Sequence, residues 1–160
     1  APGGSGPTAR AENDGFASIE EVVAAFPQAL VLGESTWPGA AIGGIKIGEE
    51  VPPGTRRQVY ALRVSFEFES DPADATAKSG SIVCSPGCQV LRHKVKREAA
   101  PALPCGLLRA LEAARKAGLS SKRPIVAHGY WNFDDRRGIT FRANEEEEPI
   151  EIGAGCAPVP

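Results

Sequence analysis

His128, Tyr130 and Asn132 stand two apart in a β-like stretch, so their side chains share one face of a strand. Arg142, with Thr140, falls on the run across the next turn, and a glutamate-rich segment ends at Glu147-Glu148-Pro149-Ile150. A histidine, a glutamate and an arginine on one sheet face are a working set for RNA cleavage. The glutamate, or the histidine, takes the proton from the ribose 2′-hydroxyl. A second group protonates the leaving 5′-oxygen, and the arginine holds the charge of the phosphorane-like transition state. His128, Glu147 and Arg142 are therefore the candidate catalytic residues, with Tyr130 and Asn132 as binding neighbours.

His128-Gly129-Tyr130-Trp131-Asn132, then Gly138 and Phe141, then Glu147-Glu148-Pro149-Ile150 resemble the fungal guanyl-specific ribonuclease pattern. In that pattern a helix precedes a His-x-Tyr-x-Asn strand, and a Glu-x-Pro-Ile strand supplies the catalytic carboxylate. The resemblance implies a small, secreted, disulfide-bonded α+β protein, with His128 as the strand histidine and Glu147 as general base. It covers residues 128–150. The family also places an arginine and a second histidine after the glutamate strand, and residues 151–160 contain neither. Such a scaffold with an incomplete catalytic set is similar to ribonuclease-like secreted effectors.

Other catalytic signatures are absent. There is no Gly-x-Ser-x-Gly elbow, no Gly-Lys-Ser/Thr phosphate loop, no His-Glu-x-x-His and no calcium-loop spacing in the acidic run. No cofactor or metal is expected. Trp37 lies among Gly and Pro in Ser35-Thr36-Trp37-Pro38-Gly39. A tryptophan there is either folded back as a plug or offered as a binding anchor. Arg92, Lys94 and Lys96 alternate and would form a basic stripe, suited to an anionic polymer such as RNA or a polysaccharide. The competing reading is a solvated face paired with Glu67 and Glu69.

Four cysteines, Cys84, Cys88, Cys105 and Cys156, sit in a chain that begins Ala1-Pro2-Gly3-Gly4 and contains no Met. The pattern is that of an exported protein with its signal peptide removed and two disulfides in place. Three pairings are open. Cys84 and Cys88 flank a Pro-Gly turn, and a bridge to Cys156 would anchor the C-terminal tail. Zinc would ordinarily need a second close cysteine pair, with His93 the nearest other ligand. A redox role would rest on Cys105 ahead of a helix.

The elements that must position these residues follow from periodicity. Residues 1–15 read as a disordered tail. Ser18 and Glu21 make a capping box, and Pro27 is expected to stop the helix they start. Residues 29–33 read as a strand, and 33–57 as loop with one short strand at 45–47. Residues 58–69 alternate strictly, as a strand with one core face. Strands at 80–84 and 89–96 are expected to pair across the 84–88 turn. Residues 103–117 carry an apolar stripe of Leu103, Leu107, Leu108, Leu111 and Ala114, ending at Gly118. Strands at 125–133 and 139–143 form a second hairpin, with Ile125, Ala127, Trp131 and Phe133 on the inner face. A last strand is expected at 149–152.

The sum is an α+β fold: an antiparallel sheet of five to seven strands with one main helix packed on it, disulfide-stabilised, over residues 16–160. The 160 residues are enough for one core, while Gly (18) and Pro (14) make a fifth of the chain and predict long loops. A net charge of -2 excludes a uniformly basic nucleic-acid binder. Residues 92–142 nonetheless hold twelve bases against four acids. No apolar run reaches membrane-spanning length. The leading expectation is a secreted, non-catalytic binding protein of effector or inhibitor type with a protein partner. The alternatives are an endoribonuclease and an anionic-polymer module.

Overall fold

The computed structural model describes residues 14–96, 102–129 and 138–160. A helix α1 (Ile19–Thr36) leads into strands β1 (Ala41–Glu50), β2 (Val59–Glu67), β3 (Ser79–Cys84) and β4 (Cys88–His93). Helix α2 (Leu107–Lys116) follows, then β5 (Ile125–Gly129), β6 (Ile139–Arg142) and β7 (Ile150–Ile152). The seven strands form one antiparallel sheet in the order β4-β3-β2-β1-β5-β6-β7. Two disulfides, Cys84–Cys88 and Cys105–Cys156, brace it. The expected fold class is the observed one. No helix among the described residues is long and apolar enough to cross a membrane.

Helix α1 corrects the expectation that Pro27 ends it. Ser18 Oγ accepts from the Glu21 amide at 3.4 Å, and Glu20 and Glu21 sit at the positive end of the helix dipole. The buried stripe Ile19, Val22, Val23, Phe26 then continues through Ala29 to Gly33 without changing face. Proline brings no N–H to the carbonyl of Val23, at a cost of about 3 kcal/mol. Burial of an apolar face that spans both sides of the proline offsets that cost, so residues 29–33 are helical rather than a strand.

Strand β1 is the second correction, since a ten-residue strand occupies what reads as loop. It lies between β2 and β5, so its backbone is paired on both sides despite three glycines. The register slips between Ile42 and Gly44, leaving Gly43 as the extra residue of a bulge. A third correction concerns β2. Tyr60, Leu62, Val64 and Phe66 enter the core under the helices, as expected, but Val59, Ala61 and Ser65 on the reverse face are buried as well.

Both helices lie on one face of the sheet. Helix α1 packs on β2 and β3, and α2 packs on β7. Leu107, Ala110, Leu111 and Ala114 join the core with Val126, Ile139, Phe141 and Ile152. The core therefore sits between one helical layer and one sheet.

Candidate functional site

His128 lies on β5 directly opposite Ile45 of β1 and is 1% exposed. Its Nδ1 is 3.3 Å from the Gly138 carbonyl oxygen. It shares the core face with Val126, so the inner face of β5 is the one expected to point outward. Arg142 pairs with Ile125, and Thr140 with Ala127. Facing residues across a ladder share a side, and successive residues alternate. Arg142 and Thr140 thus project from the face opposite to His128. Glu147 is exposed in a turn where Asn144 Oδ1 accepts from its amide at 3.1 Å. His128, Glu147 and Arg142 do not meet on one face, which corrects the expected arrangement. Tyr130, Asn132 and Trp131 lie outside the described residues.

Trp37 is a plug and not a surface anchor. It is fully buried, stacks on Phe68 at 5.2 Å and meets Phe66 at 5.7 Å. Its Nε1 donates to Asp71 Oδ2 at 2.9 Å, and Arg92 Nε donates to the same oxygen at 2.7 Å. The Ala73 amide donates to Asp71 Oδ1 at 2.8 Å. Burial by itself raises the Asp71 carboxyl, but the Trp37, Ala73 and Arg92 hydrogen bonds outweigh it and the net shift is downward. Arg92 is therefore paired with Asp71, rather than with the expected Glu67 and Glu69. Lys94 and Lys96 are exposed and lie beyond the end of β4, so the three bases do not form one strand stripe.

Asp71→Asn is expected to cost about 1–2 kcal/mol at neutral pH, since Arg92 keeps partial access to water. The carboxyl is depressed in the folded state. Its contribution is therefore complete above the ordinary aspartate value of about 3.9 and is lost as the pH falls through the folded value. Urea unfolding at pH 7 and at pH 3 checks this: the gap between wild type and Asp71→Asn narrows in acid.

On the reverse face, hydroxyls and an imidazole form a short chain. Ser65 Oγ is 3.1 Å from Ser81 Oγ, which is 3.2 Å from His93 Nε2. Glu67 projects from the same side, opposite Ser79, which is itself opposite His93. A serine bonded to a histidine is the beginning of a nucleophile–base pair. Ser81 is only 1% exposed, however, so an incoming carbonyl or phosphate has no approach to its oxygen. The chain ties β2, β3 and β4 together.

The helical face offers a different feature. A groove of about 490 Å3 runs between α1 and α2. Val23, Phe26 and Pro27 form one wall, Leu107, Leu108 and Leu111 the other, and among the described residues Glu20 is its one charged lining residue. Leu108 is 58% exposed. At one end Arg115 Nη2 donates to Glu20 Oε2 at 2.9 Å, holding that carboxyl below its ordinary range. Arg115 Nη1 also donates to the carbonyls of Leu119 and Ser121.

The chain matches no family model, no curated protein and no solved structure.

Sequence reasoning placed none of the groove in a site. The available signal was the α2 stripe, where Leu107 and Leu108 are adjacent. Two neighbouring leucines stand about 100° apart on a helix, and here Leu107 turns into the core while Leu108 stays exposed at the edge of the stripe. The serine–histidine chain left no comparable signal, because its members come from three strands.

Proposed function

We propose that the protein acts by binding a protein partner through the helical face, without catalytic turnover. The observation that carries this reading is the apolar groove between α1 and α2, with Leu108 standing exposed at its rim. A contiguous apolar surface rimmed by polar residues is characteristic of an interaction site. Paired helices with an apolar cleft between them accept an amphipathic helix by its i, i+3, i+4 and i+7 side chains. The separation of His128 from Arg142 across the sheet supports binding over ribonuclease chemistry. Paired cysteines are compatible with the expected export, and an effector or inhibitor role would follow from it.

Two experiments test the reading. Helical peptides selected on the wild type from a displayed library are expected to bind Leu108→Asp at least about tenfold more weakly. Equal binding to both overturns the assignment of the surface. Mixed RNA incubated with the protein is expected to stay intact. Cleavage that disappears in both His128→Ala and Glu147→Ala would replace binding with ribonuclease activity.

A further inference from the structure

Strand β4 ends the sheet, and two contacts set its pairing phase. The Ser85 amide donates to the Gly87 carbonyl at 3.1 Å, so the 84–88 turn closes on a hydrogen-bonded pair. The next pair, Cys84 and Cys88, has its Cα atoms 3.9 Å apart, the close spacing of a pair without mutual hydrogen bonds. The phase alternates along the strand. Gln89, Leu91 and His93 therefore turn their amides and carbonyls toward β3, while Cys88, Val90 and Arg92 turn theirs outward. Among the described residues no backbone group takes up that outer row. A row of this kind accepts an extended chain as an added strand.

Charge says which chain. Arg92 is held by Asp71, and Asp74 lies close enough to feel its charge. Lys78, Lys94 and Lys96 are exposed and pair with no described acid. Lys78 precedes Ser79, which faces His93 across the β3–β4 ladder, so the three lysines gather at one end of the edge. Val95, between two of them, is 65% exposed and offers an apolar contact. Lysines on an edge guard it against unselective pairing. They leave it open to a strand that brings carboxylates.

We propose that β4 receives an additional strand from a partner protein: an extended segment that pairs with Cys88, Val90 and Arg92 and carries carboxylates where it passes Lys78, Lys94 and Lys96. This surface is separate from the groove between α1 and α2. Main-chain hydrogen bonds supply the affinity, and the lysines select the partner. A polyanion without peptide groups would meet the lysines but leave the outer row of β4 unpaired.

A fluorescent peptide of alternating Thr and Val, flanked on both sides by Glu-Asp-Glu, tests the proposal when titrated with the unreduced full chain. Anisotropy is expected to give a Kd on the order of 100 µM at low salt. Binding is expected to weaken several-fold at high salt. Successive amides of a strand point to opposite sides, so two peptides N-methylated on alternate residues are compared. Methylation of the set facing β4 is expected to abolish binding, and methylation of the other set to leave it unchanged. Lys94→Glu/Lys96→Glu is expected to weaken binding at least about tenfold, while Lys116→Glu, on α2, leaves it unchanged. Val90→Pro removes an amide that β3 does not use, so it should stay folded and fail to bind. Circular dichroism melting checks the folding of each variant. No binding up to about 1 mM overturns the proposal. So does equal binding of the two methylated peptides, or indifference to Lys94→Glu/Lys96→Glu. A wild type that dimerises in sedimentation, and no longer does so as Val90→Pro, also overturns it, because a second copy then fills the row. The groove reading is decided apart from this, by helical peptides and Leu108→Asp.

Discussion

Trp37→Ala is expected to lower the stability of the fold by about 3–5 kcal/mol, the usual cost of emptying a large aromatic site. The indole is held on every side. Phe68 stacks on it, Phe66 packs against it at a tilt, and Asp71 accepts its Nε1–H. A Cβ built on Gly80 would stand 2.2 Å from the indole ring. Glycine at 80 is thus a requirement of the tryptophan above it. Gly80→Ala alone is expected to cost about 1–3 kcal/mol through overpacking. In a Trp37→Ala background the same change should be nearly neutral, because the clash has been removed. Trp37→Phe keeps part of the volume but leaves Asp71 without one donor, and should fall between wild type and the alanine variant. Urea unfolding of the four variants measures all of these. Additivity of Trp37→Ala and Gly80→Ala would show that the two positions are not coupled as described.

Loss of the Cys105–Cys156 bridge is the second large effect. The two cysteines are 51 residues apart in sequence, and chain-entropy reasoning assigns about 4 kcal/mol to closing a loop of that length. Cys84–Cys88 spans only four, and the same reasoning gives about 2 kcal/mol. The Cys105→Ser/Cys156→Ser protein should therefore unfold at markedly lower urea than the Cys84→Ser/Cys88→Ser protein. The reverse order would mean that strand pairing around the 84–88 turn, rather than loop closure, dominates. The long bridge ties the segment before α2 to the tail after β7, so its loss should also loosen the α2 side of the groove.

Much of this architecture is written in local patterns. Residues 58–69 announce β2 by strict alternation, and the turn at 84–88 announces the β3–β4 hairpin. What local patterns do not carry is which side of an alternating strand turns inward. In β5 the more apolar set, Ile125 and Ala127, was the natural choice, yet Val126 and His128 face the helices. Pairing with Ile47 and Ile45 of β1 decides that orientation, and it is a long-range fact. The same holds for Pro27, whose local penalty is outweighed by a stripe that only tertiary packing rewards. Glycines in β1 hide a central strand because their weakness is offset by neighbours on both sides. Trp37 reads equally as plug or anchor until Asp71, distant in sequence, receives its N–H. The candidate site was the least legible part, since a groove belongs to two helices at once.

The C-terminal tail has one more consequence. Beyond β7 the chain folds back on itself: the Gly153 amide donates to Ala157 and the Val159 amide to Glu151, and Ile152 bridges Pro158. The tail thereby occupies the outer hydrogen-bonding side of the last strand, and Cys156 pins it there through Cys105. An uncovered terminal strand is a template on which other chains can assemble without limit. Reducing conditions would thus do more than lower a melting temperature. They would unmask a sticky border and couple the solubility of the protein to the thiol chemistry of its surroundings.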